Sequence, residues 1–168
     1  MGNIQSMLTI GAIALFSLIS IRFNSSVLEN MTVEVENKAY LTAFSLADDL
    51  MEEIKQKAFD DQTVVFRSIN PWELTPRNQF APESVDSGET SDPSTWDDID
   101  DYNEYSRPVS LPHFESYVVS CSVDYVLKSN VNMPSLTQTF FKRVRVTVSS
   151  DYMRNPVTLS FIFTLHSK

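Results

Sequence analysis

Apolar residues recur with a helical period in the first part of this chain and alternate with a period of two in the second. From Ile4 to Ile21 the residues are aliphatic, aromatic or small, and no ionisable side chain occurs between Gly2 and Ile21. Twenty uncharged residues span about 30 Å as a helix, the thickness of a bilayer's hydrocarbon core. No Pro or Gly follows before Phe59, and the helical pattern continues without a break. Leu28, Val35, Ala39, Ala43, Leu46, Ala47, Leu50, Ile54 and Ala58 fall on one face, opposite Glu34, Glu36, Asp48, Glu52 and Gln56. The pattern therefore predicts one helix over residues 4–58, about 80 Å long at 1.5 Å per residue. A compact domain of this size is only about 35 Å across, so the apolar half of the helix is expected to project from it.

After Phe59-Asp60-Asp61 the period shortens. Thr63–Ile69 is a short strand candidate closed by Asn70-Pro71, and residues 71–113, with six prolines and both tryptophans, read as ordered loop. Three clearer strands follow. Tyr117, Val119, Cys121, Val123, Tyr125 and Leu127 share one face within Phe114–Leu127. Val144, Val146 and Val148 alternate with Arg143, Arg145 and Thr147 within Thr139–Ser149, and Leu159, Phe161, Phe163 and Leu165 do so within Thr158–Leu165. Connections of roughly ten residues suit an antiparallel meander. The predicted class is α+β: a long N-terminal helix projecting from a small antiparallel sheet domain, with residues 1–29 as the protruding segment and 30–168 as the globular part.

Composition narrows the function. Apolar residues make up 42% and charged residues 21%, enough for a core and too apolar for wholesale disorder. The net charge of −9 argues against neutralising nucleic-acid phosphates. Nine acids and no base lie between Glu83 and Glu104. Within that run, Asp97, Asp98, Asp100 and Asp101 form the candidate ion site, since calcium takes six to eight oxygens that close-spaced carboxylates can supply. The spacing departs from the EF-hand loop, and the competing reading is a solvated acidic surface. Lys142, Arg143 and Arg145 are expected to answer these acids in the same or a neighbouring subunit. Cys121 reads as a buried thiol, and His113 and His166 have no partner at a catalytic spacing, so no enzymatic activity is expected. Asn24-Ser25-Ser26 and Asn30-Met31-Thr32 match glycosylation sequons.

A secretory signal peptide fits the first segment poorly. No basic region precedes it, Arg22 follows it, and no small-x-small site closes it. The uncharged segment continuing into an amphipathic helix and then a sheet instead resembles the type IV pilin superfamily. Met1-Gly2 before Asn3-Ile4-Gln5-Ser6-Met7-Leu8 is similar to a very short leader ending in Gly, and Ala58-Phe59-Asp60-Asp61 is similar to helix-end segments of pilin-like proteins. The chain departs from that family at the fifth mature position. A Glu is usual there, whereas here the position holds Met7, or Gln5 if Met1 is first, and no acid precedes Glu29.

The resemblance implies a structural subunit of an extracellular, fimbrium-like filament at the cell surface, with a membrane-embedded precursor pool. Its implied partners are further copies of itself in a helical homopolymer, inner-membrane assembly machinery and prepilin peptidase. Ile4, Met7, Leu8, Ile10, Ile13, Leu15, Phe16, Leu18, Ile19 and Ile21 are the expected filament core. A pseudopilin or minor pilin of a secretion or uptake system is the alternative within the family. A membrane-anchored, calcium-dependent surface binding domain is the alternative outside it.

Overall fold

Nothing in residues 2–54 interrupts the backbone ladder, and α1 runs unbroken from Gly2 to Ile54. The computed structural model describes residues 2–65, 70–82, 92–112 and 114–165, without the side chains of residues 65, 114 and 115. The chain divides into two units, residues 1–38 and 39–168.

Within the second unit the helix stripe and the sheet share one core, as the periodicities predict. Ala43, Ala47, Leu50, Met51 and Ile54 of α1 cluster with Tyr117, Val119, Cys121, Val123, Tyr125, Val144, Val146 and Val148. The strands are β1 (Ser106–Leu111), β2 (Phe114–Leu127), β3 (Asn130–Pro134), β4 (Phe141–Ser150) and β5 (Val157–Thr164). They pair antiparallel in the order β1-β2-β4-β5, and β3 folds back on the end of β2. Leu127 leaves the buried face and is half exposed, because the register shifts between Val126 and Leu127. Such an irregularity inverts the facing of the residue beyond it.

Three expectations are corrected. The helix ends at Ile54 rather than Ala58, because Ala58 pairs with the loop: its N–H donates to Asp97 O at 2.9 Å and its carbonyl accepts from Ile99 N at 3.1 Å. Thr63 and its neighbours lie in a short helix α2 (Asp61–Val65), not a strand, while residues 66–69 of that candidate fall outside the described residues. Asp60 starts α2 as its cap, its Oδ1 accepting from Gln62 N at 3.2 Å. The loop before the main strands also contains β1. Its SRPVSL sequence conceals it, since Pro108 breaks the pattern but is tolerated on an edge strand.

Candidate functional site

Each residue from 2 to 35 is exposed. The ten expected filament-core residues are among them, from Leu18 at 61% to Met7 at 75%. The exposed apolar surface also runs past Ile21 through Phe23, Leu28, Met31 and Val35. Three hydroxyls between Ile4 and Ile21 are bonded back along the helix. Ser6 Oγ donates to Gly2 O at 3.0 Å, Thr9 Oγ1 to Gln5 O at 2.9 Å and Ser17 Oγ to Ile13 O at 2.8 Å. Hydroxyls bonded back to the preceding turn present little but carbon outward. By length and composition the helix can cross a membrane, with a mean hydropathy of 2.0 over its most apolar window. A membrane anchor or a signal sequence meets the same description.

A second concentration of chemistry lies where the loop 96–105 meets the end of α1. The Ala58 pairing carries Asp60 toward Asp98, Asp100 and Asp101, and all four are buried. Lys142 of β4, itself fully buried, points its ammonium among them. Its Nζ donates to Phe59 O and Asp60 Oδ2, each at 2.7 Å, and to Asp100 Oδ1. The rings of Phe59, Phe80 and Tyr125 lie 4.7–5.3 Å from the same nitrogen. Asp60 is the most fully satisfied acid. It also accepts from Tyr125 Oη at 3.0 Å, Thr75 N at 3.1 Å and Thr75 Oγ1 at 3.0 Å. Asp98 Oδ1 accepts from Asp100 N at 2.7 Å and Asp101 N at 3.3 Å, which folds the loop into a tight turn.

The Lys142 ammonium thus pairs directly with two of these carboxylates, Asp60 and Asp100, and attracts a third, Asp98, through charge alone. Asp98 Oδ2 and Asp100 Oδ2 are buried with no hydrogen-bond partner. Burial pushes the Asp98 carboxyl up to about 6, against the pull of Lys142 and the two backbone N–H groups. Burial, with the like charges of Asp98 and Asp60, raises Asp100 well above the usual range despite Lys142. Tyr125 is likewise raised, by burial and then by the Asp60 charge. Removing ions from water costs several kcal/mol each, so an excess of buried acids holds protons instead.

The acids of the expected ion site therefore separate. Asp97 is exposed, and Asp98, Asp100 and Asp101 are buried, with Asp100 paired to Lys142, rather than forming a solvated surface. Among the described residues no group of three or more His, Cys, Asp or Glu side chains is arranged to hold a metal ion. Of the three expected basic partners only Lys142 meets these acids. Arg143 and Arg145 reach Asp124 instead, each at 3.3 Å, and Arg77 joins them at 2.6 Å. Burial raises the Cys121 thiol to about 12, which leaves it protonated and unreactive at neutral pH. His113 and His166 fall outside the described residues.

The pattern offers Lys142 only as one of three candidate partners for the acid run, and it does not mark Asp60 as a site residue. Yet Lys142 has the same parity as Val144, Val146 and Val148, and a lysine on an inward face requires buried acids. The long N-terminal helix with a small antiparallel sheet is compatible with a pilin-like fold. No family model, curated protein or solved structure matches this chain.

Proposed function

We propose that the chain is a pilin-like structural subunit that polymerises through its N-terminal helix into an extracellular filament, from a precursor held in the membrane. The observation that carries this reading is the exposure of every residue from 2 to 35 on a helix whose later turns enter the domain core. Burying a Leu, Ile, Phe or Met stabilises by about 1.5–3 kcal/mol, so the ten residues from Ile4 to Ile21 represent roughly 15–30 kcal/mol in water. Lipid offsets this before assembly, and neighbouring copies of the same helix offset it afterwards. Cleavage by a prepilin peptidase and export by inner-membrane machinery belong to the same reading. A simple anchor commonly leads into a Gly- or Pro-rich linker, whereas α1 enters the core with neither residue between Arg22 and Ile54.

The test is a charge in the helix surface. Leu15→Asp or Ala12→Asp places an unpaired carboxylate in the packed core and should abolish filaments on cells, while the domain of residues 39–168 stays folded. Electron microscopy of sheared surface material reads the result. Normal filaments from cells producing only the Leu15→Asp chain would overturn the proposal and favour a plain anchor.

A further inference from the structure

In a chain of net charge −9, one groove is lined by two half-exposed arginines, Arg77 and Arg145. It encloses about 540 Å³ beside β2 and β4, a volume in the range of small-molecule sites. Buried Asp124 stands at its base and draws three guanidiniums together. Arg143 is buried and also donates to Val131 O at 2.9 Å, whereas Arg77 and Arg145 line the groove with 45% and 43% of their side chains exposed. Glu104 lies at the same groove, exposed and held at φ 60°. Among the described residues the three guanidiniums around Asp124 outnumber Asp124 and Glu104 by one, the surplus coming from Arg143, which is buried and outside the lining. Each exposed arginine engages Asp124 through Nη2 alone, so its other N–H donors face the groove or solvent.

We propose that this groove binds a hydroxylated monocarboxylate, the chemistry of a sugar acid. One surplus positive charge matches one carboxylate, and the guanidinium fork is the geometry that recognises it. The remaining polar lining is set for hydroxyls. The Oδ1 of Asn103 is taken by Val123 N at 3.1 Å, which leaves its amide N–H groups to donate. The Nε2 of Gln138 is taken by Leu74 O at 3.2 Å, which leaves its oxygen to accept. A hydroxyl satisfies both kinds of partner. Pro76 and the 90% exposed Leu136 supply the apolar edge against which the C–H face of a sugar ring packs. The site stands independently of polymerisation, so absence of filaments would leave it unaffected.

The test uses the full chain in detergent micelles, titrated with glucuronate and separately with glucose, and read by calorimetry or by amide NMR shifts. Glucuronate is expected to bind at least tenfold more tightly than glucose. Arg145→Gln should weaken glucuronate about tenfold, with Asp124 still paired to Arg77 and Arg143. Glu104→Gln removes an opposing charge from an exposed position and should tighten it roughly threefold to tenfold. Variants shifting affinity in opposite directions cannot both be explained by damage to the fold. Absence of glucuronate binding, equal affinity for glucose, or two variants that bind as the parent does would each overturn the proposal.

Discussion

Asp98 donates and accepts at the centre of its turn and still leaves Oδ2 without a partner at full burial. Desolvation is the largest influence on it, the Lys142 ammonium opposes that, and Asp60 adds like-charge repulsion. Its folded carboxyl titrates at about 6 against an ordinary 3.8, so the folded state holds the proton more tightly than the unfolded chain does. The stability this contributes is fully present below about pH 4 and is lost as pH rises through 6. The interval is worth about 3 kcal/mol at most, and Asp100 adds to it in the same direction. The melting temperature of the chain should therefore be higher at pH 5 than at pH 7.5. Asp98→Asn keeps an oxygen for the two N–H donors and removes the charge, so it should raise the melting temperature at pH 7.5 and flatten the pH dependence. Thermal unfolding at both pH values decides this, and a steeper acid loss in the variant would count against a proton-holding cluster.

At the level of elements, α1 packs by an alanine stripe. Ala39, Ala43 and Ala47 have no exposure and recur every four residues, so they lie one above another on the face toward the sheet. Tyr117 Oη donates to the carbonyl of Ala39 at 3.3 Å, which places the backbone itself in contact with β2. A larger side chain there has no free volume, and Ala43→Leu should cost about 1–3 kcal/mol by overpacking. Leu41→Ala, on a residue 71% exposed, should change stability by less than about 0.5 kcal/mol. Urea midpoints of the two variants measure the contrast, and equal losses would mean that the stripe is not the packing face. That stripe is legible in the residue pattern alone because its period repeats over five turns. So are β2 and β4, whose inward valines alternate cleanly. The helix end is not, since the residues from Lys55 to Ala58 carry no breaker and yield only to the loop that pairs with Ala58. Nor is α2, because Thr63, Val64 and Val65 favour strands intrinsically and the cap at Asp60 overrides them. The acid run shows its charge but not its burial, as its counter-ion Lys142 lies far along the chain.

On the scale of the whole molecule, the two units differ in what each asks of its solvent. Among the described residues every buried one lies at Ala39 or beyond, so those before it contribute nothing to the core. Among residues 1–29 the only charges are Arg22 and Glu29, which cancel, so a chain of residues 30–168 keeps the full −9 while losing all ten of the large apolar residues between Ile4 and Ile21. It also keeps nine residues ahead of Ala39, enough to satisfy the orphan N–H groups of a new helix start outside the core. Mutual repulsion then opposes association, and the apolar surface that drives it is gone. This shortened chain should be a folded monomer in plain buffer, with the same rise in melting temperature from pH 7.5 to pH 5 as the full chain. The full chain should need detergent, lipid or its own polymer. Sedimentation of the two, with and without detergent, provides the measurement. Polymers formed by residues 30–168 alone would move the assembly surface into the domain, and a shortened chain that fails to fold would mean that the first twenty-nine residues contribute to its stability after all.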